Sequence, residues 1–222
     1  MVGLYVDEVE CDETWGYVRC KEATRVRNNY TDACGDAYAF IGIERNTKAV
    51  IAWHLGRRTG HDTWTFAAKL HRATRGRFQL STDGFAPYKK AMPETLGPRI
   101  DFMQVVKHYG KLGDEPQHRY SPPQVTGVTY DFVCGAPKLN RASTSIVERG
   151  NLSVRMGMRR MTRLTNGASK KWANHGYALA LWFAFYNFCR RHSTIKKTPA
   201  MALGIADHEW TISELVDRIA VA

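Results

Sequence analysis

The sequence predicts an α/β fold: a mixed sheet of three antiparallel strands and then two more, helices on both faces, and a C-terminal helical extension. Three observations lead there. Short runs rich in β-branched and aromatic residues occur three times within the first 55 positions and recur at 78–82 and 102–108. Segments with apolar residues three and four apart separate the later runs, as helical crossovers would. After residue 140 the pattern is helical almost to the end.

Taken in order, Glu10 to Arg19 reads as the first strand, preceded by Asp7 and Glu8 and carrying Glu10, Asp12 and Glu13. An acid inside a strand is ordinarily a solvent-facing edge residue. Residues 20–35 are polar and read as an irregular arm. Ala37 to Ile43 and Ala49 to Leu55 are the second and third strands, joined by a short polar turn. Thr59 to Ala73 is helical, with Thr59 or Asp62 as its cap. Phe78 to Thr82 is a strand that ends in Asp83-Gly84, a common turn pair. In sheets with helical crossovers, however, chemistry gathers just beyond the carboxyl ends of strands, and a helix is expected from Phe85 onward. Phe102 to His108 is the last strand, and Gly110 to Asn140 reads as a long loop, partly extended at Val125 to Val133. Asn174 to Arg191 is apolar nearly all round and so is expected to be buried. Thr211 to Ala220 closes the chain as an amphipathic helix.

With 222 residues, 44% hydrophobic and 11% aromatic, the chain is globular and fits a single domain over 1–222. Its net charge is +11, and the distribution matters more than the total. Between Lys138 and Lys197 there are 13 Lys and Arg and one acid, Glu148. The remainder is nearly neutral, with 19 basic and 20 acidic residues. Charge concentrated in this way points to a polyanionic partner, nucleic acid first. Five cysteines without a C-x-x-C pair support neither a disulfide framework nor a structural zinc site. With no signal-peptide pattern and no bilayer-length apolar run, the expectation is a cytoplasmic, nucleoid-associated protein with no membrane partner.

Glu148 lies in a helix-like stretch, Ser143 to Lys171. Glu148, Arg155 and Arg159 fall close to one line along such a helix, and Ile146, Val147, Val154, Met158, Met161 and Leu164 gather opposite. The usual helical ion-pair positions around Glu148 hold no cation. A guanidinium row suits phosphate oxygens, and an acid beside phosphates calls for a cation such as Mg²⁺. Arg149, Arg155, Arg159, Arg160, Arg163, Lys170 and Lys171 are the candidate DNA-contacting residues. A solvated basic face with an incidental acid is the plainer alternative. His175 and His192 flank the later helix and could meet phosphate or simply pack.

The run STSIVERGNLSVRMGMRRMTRLTNGASKK, followed by NHGYALALWFAFYNFCRRHSTIKKTPAMALGI, resembles the C-terminal half of transposases of the insertion-sequence-one group, which are DDE enzymes. The likeness continues upstream through STDGFAPY and DETWGYV. It implies a ribonuclease-H-like fold and a catalytic, metal-binding trio of Asp12, Asp83 and Glu148. Asp12 is preferred to Asp7 because Trp15 follows it at the family's offset. The resemblance further implies two Mg²⁺ ions, or Mn²⁺ in their place, about 4 Å apart and serving an in-line displacement at phosphorus. Water would first free a 3′-hydroxyl at the element's end, and that hydroxyl would then attack target duplex. The implied partners are transposon ends and target DNA, with a homodimer left open. Full-length members carry an N-terminal end-recognising segment, which this chain is expected to lack. A metal-dependent nuclease on the same fold and a catalytically dead DNA-binding remnant are the rival expectations.

Overall fold

A computed structural model describes residues 1–110, 124–163 and 165–220. In chain order the elements are β1 (Leu4–Tyr5), β2 (Glu8–Val18), α1 (Glu22–Arg27), β3 (Gly35–Glu44), β4 (Val50–Gly56) and α2 (Gly60–Ala73). Then come β5 (Thr74–Arg75), β6 (Phe78–Thr82), α3 (Tyr88–Leu96), β7 (Ile100–Tyr109) and β8 (Val125–Cys134). Helices α4 (Ser145–Gly157), α5 (Trp172–Phe188), α6 (Pro199–Ala202) and α7 (Ile212–Ala220) complete the described chain.

The fold is α/β, built on a six-stranded mixed sheet in the order β4-β3-β2-β6-β7-β8. Strands β4, β3 and β2 are antiparallel, β2, β6 and β7 run parallel, and β8 returns antiparallel to β7. Successive side chains on a strand point to opposite faces, and two cores follow. Val9 and Cys11 of β2 and Phe40 of β3 join Phe66, Leu70, Tyr88 and Met92 of α2 and α3 on one face. Ala39, Ile41 and Ile43 of β3 meet Val147 and Val154 of α4 and Leu179 and Phe183 of α5 on the other. Thr59 caps α2 as expected, its hydroxyl accepting from the Asp62 N–H.

The structure corrects the sequence reading in several places. The sheet has a sixth strand: Val125–Cys134, expected only as an extended part of a loop over Val125 to Val133, pairs with β7 along its length. Of that expected loop, residues 111–123 lie outside the described residues. Strand β8 has no alternation to read because both its faces are largely exposed. The 20–35 arm contains α1, tied down by Glu22 pairing with Arg25 and Arg57. Helix α5 buries one face through His175, Leu179, Phe183 and Tyr186, yet exposes Tyr177 and Leu181.

The Glu148 helix stops at Gly157, and Arg159–Met161 is a separate 3₁₀ turn. The continuous line through Glu148, Arg155 and Arg159 therefore does not exist. A cause lies in the packing: a Cβ on Gly157 would stand 1.8 Å from the Trp182 ring of α5. Only glycine permits this approach, and it is a weak helix former. Val147, Val154, Met158 and Met161 are buried as the stripe predicts, and Ile146 packs beside them. Leu164 lies outside the described residues.

Candidate metal centre

Strand β2 carries four acids, Glu8, Glu10, Asp12 and Glu13, and its pleat separates their tasks. Glu10 and Asp12 face α4, whereas Glu13 faces α3. Glu10 is 2% exposed, and its Oε2 accepts from the backbone N–H groups of Ile146 (2.7 Å) and Val147 (3.1 Å). Those N–H groups belong to the first turn of α4 and lack helical partners. A carboxylate from the sheet thus caps the helix that carries Glu148. Burial raises the Glu10 carboxyl above its ordinary range, against the lowering effect of those two N–H donors. Glu8 reinforces the approach to α4 through Arg45 and Arg141, each at 2.7 Å.

Nothing in the sequence marks Glu10 for this role, because its partners lie more than 130 positions away. Replacing Glu10 with Ala strands two buried donors, each costing about 1–3 kcal/mol. The expected outcome is a clearly lowered melting temperature, read by thermal melting of the variant against wild type. An unchanged melting curve would mean that solvent or Ser143 takes over the cap.

Asp12 sits two residues on. Its Oδ1 accepts from the Glu13 N–H (2.7 Å), and its Oδ2 accepts from Asn151 Nδ2 of α4 (2.8 Å). Burial, then the charge of Asp83 and, more weakly, that of Glu148, push its carboxyl up to about 7. Asp83 follows β6, and its Oδ1 accepts from the Phe85 N–H (3.1 Å). Burial raises its carboxyl as well. The turn is held by Gln104 of β7, fully buried, whose Nε2 donates to the carbonyls of Asp83 (2.7 Å) and Phe85 (3.1 Å). Glu148 accepts from the Thr144 hydroxyl at 2.7 Å and pairs with Lys107 of β7. The helical positions around Glu148 are indeed free of cations, and its counter-charge comes from the sheet instead.

Asp12, Asp83 and Glu148 line one cleft of about 510 Å³, together with Arg58, Phe85, Lys107 and Tyr109. Among the described residues, the acids close enough to share an ion are Asp12, Glu13 and Asp83, with one oxygen from each within 4.8 Å of the others. Burial and Asp83 push Glu13 up to about 7, Asp12 adding to the rise. One Glu13 oxygen receives Arg58 at 3.1 Å, while the buried Oε1 has no partner. Arg58 also reaches Asp83 at 3.7 Å and lies over the Phe85 ring at 4.2 Å. Crowded carboxylates with orphaned oxygen and raised pKa values are a poor resting arrangement without a cation. An all-oxygen donor set of this charge fits a hard divalent ion. The group Asp12, Glu13 and Asp83 could therefore hold a metal ion.

The expected DNA-contacting residues divide. Arg155 is half-buried on the α4 face toward Asp12, and burial with the neighbouring Arg163 lowers its pKa against the pull of Asp12. Arg159, Arg160, Arg163, Lys170 and Lys171 are exposed beyond the helix end and do not line the acid cleft. Arg149 points away from that cleft into another. His175 is fully buried against Ser169 (2.9 Å) and pushed down to about 4 by burial and Arg160, so it is a neutral core residue. No described helix is long and apolar enough to cross a membrane.

No family model matches this chain, and no curated protein matches it.

Proposed function

We propose that this chain is the catalytic domain of a DDE transposase of the insertion-sequence-one group, ribonuclease-H-like in fold, acting on DNA by metal-dependent phosphodiester chemistry. The observation that carries the reading is the convergence of Asp12, Asp83 and Glu148, from a strand, a post-strand turn and a helix, on one cleft. Glu148 itself lies within the most basic segment of the chain. Asp12 and Asp83 would hold Mg²⁺ or Mn²⁺ ions, and Glu148 would complete the set on leaving Lys107. When bound, such ions activate the attacking oxygen and stabilise the leaving one.

The chain's own residues do the rest. Asn151 fixes the orientation of Asp12, and the Phe85 N–H fixes that of Asp83. Lys107 and Arg58 stand at the cleft with positive charge for a phosphate. Arg155, with the exposed Arg159, Arg160, Arg163, Lys170 and Lys171, offers phosphate contacts that position a duplex without reading its sequence.

The test is incubation with labelled duplex carrying the element's terminal repeat and a target plasmid. Strand cleavage and joining should occur with Mg²⁺ or Mn²⁺ and stop with chelator. Absence of cleavage with either ion, in protein that binds the duplex, would end the catalytic reading. Cleavage of RNA–DNA hybrid in preference to duplex, without joining, would favour a hybrid nuclease.

A further inference from the structure

Helix α4 has two working flanks. Thr144 and Glu148 line the acid cleft, and Asn151 and Arg155 continue toward Asp12. Positions 146, 149, 150 and 153, one helical stripe, line a second cleft of about 420 Å³ on the other flank. Its far walls come from distant parts of the chain. Lys48 stands in the β3–β4 turn in a left-handed conformation (φ 63°), with its carbonyl accepting from the Tyr186 hydroxyl at 3.1 Å. Arg190, Arg191 and His192 follow α5 in a turn closed by two backbone bonds, His192 N–H to the Lys197 carbonyl (3.0 Å) and Lys196 N–H to the His192 carbonyl (2.9 Å).

Four permanent cations, Lys48, Arg149, Arg190 and Arg191, thus line the cleft from three elements, Lys48 with its ammonium also donating to the Arg45 carbonyl (2.5 Å) and Arg190 beside the Tyr186 ring (5.8 Å). No acidic side chain lines the cleft among the described residues, and none of the four forms an ion pair there. Arg190 and Arg191 near the end of α5 would suit the helix dipole alone. That accounts for neither Arg149 nor Lys48, which belong to other elements and add repulsion. His192 Nδ1 accepts from the Thr194 N–H at 3.3 Å, which leaves the ring proton on Nε2 as a neutral donor. The Ser153 hydroxyl adds a further polar group. Guanidiniums, an ammonium, an imidazole N–H and a hydroxyl around one concavity are the donor set of a phosphate site.

The geometry points to this cleft as a second phosphodiester-binding site, holding the DNA backbone on the far flank of α4 from the acids. It rests on the reading of the chain as a DNA-acting protein. A helix is about 10–12 Å across, so backbone seated here lies only about three base-pair rises, at 3.4 Å each, from backbone over Glu148. Helix α4 would then be straddled by one duplex, with anchorage on one side and chemistry on the other.

The experiment is metal-free binding of the whole chain to a 30-base-pair duplex over a salt series. It compares wild type, Arg191→Gln, and the triple variant Arg149→Gln/Arg190→Gln/Arg191→Gln, each checked by thermal melting. Each lost phosphate contact removes about 0.9 from the log–log salt slope. Arg191→Gln should therefore lower the slope by about one unit and the triple variant by about two to three. An unchanged slope in folded Arg191→Gln and triple variants overturns the assignment while leaving the catalytic reading intact. So does an unchanged slope accompanied by lost stabilisation by inorganic phosphate, which makes the cleft a small-anion site. A lowered slope in a protein that never cuts DNA upholds the cleft and removes the catalytic reading. Failure of wild type to bind duplex overturns both.

Discussion

Replacing Asp12 with Asn should abolish metal-dependent strand cleavage and, in the same protein without metal, raise the melting temperature at pH 8. Both effects come from one cause. The Asp12 carboxyl is pushed up to about 7 by burial and by Asp83, so the fold disfavours its charged form. An unfolded aspartate titrates near 4. The stability linked to this group is therefore fully present below about pH 4. It is lost as pH rises through 7, and nothing further is lost above that. The full span is worth at most about 4 kcal/mol. Glu13, also at about 7, shares the same repulsion, so the two contributions do not add. Wild type without metal should accordingly melt lower at pH 8 than Asp12→Asn, with the difference vanishing near pH 4. Saturating divalent ion at a hundred times its Kd should return about 2.7 kcal/mol to wild type and nothing comparable to the variant. Equal melting of the two proteins at pH 8 would contradict the buried, repelled state of this carboxylate.

The second large effect should separate two glutamates. Glu148→Gln is expected to reduce cleavage and joining to background while leaving duplex affinity equal or higher, because a negative charge leaves the cleft. Glu13→Gln should retain measurable joining. The reason is placement: Glu148 lines the cleft, whereas Glu13 lies behind it, 2% exposed, anchoring Arg58 beside Asp83. Glu13 is nevertheless within an ion's reach of Asp12 and Asp83. Calorimetric titration with Mg²⁺ and Mn²⁺ makes the comparison decisive. If Glu13→Gln abolishes ion binding and turnover while Glu148→Gln keeps both, the third ligand is Glu13 and the helix supplies only phosphate contacts.

What could be read from the sequence follows a physical divide. Strands β2, β3, β4, β6 and β7 announce themselves because each is buried on at least one face, and burial imposes a local pattern. Strand β8 is largely exposed on both faces, so its sequence suggests extended chain over Val125 to Val133 but carries no alternation that would place it in the sheet. The strand end before Asp83 is a local event and is legible, whereas the residue itself reads only as a turn and its place in the site comes from the family resemblance. The cap that Glu10 places on α4, the staple Gln104 places on the Asp83 turn and the Lys107 partner of Glu148 span 136, 21 and 41 positions. Composition and periodicity carry no record of such pairings. The end of α4 is hard to read for a related reason: the Trp182 ring of α5, distant in sequence, is what requires the glycine at which the helix stops.

Glu10 and Asp12 sit two positions apart on one pleat, one fastening α4 and the other entering the cleft. A strand slipped by a single residue would turn both to the opposite face at once. The mispaired molecule would lose the fastening of α4 in the same event that removed Asp12 from the cleft. A register error in β2 therefore costs the cap and the carboxylate together. If the proposed reading holds and the cleft cuts DNA, coupling integrity to activity through a single strand register is a form of containment.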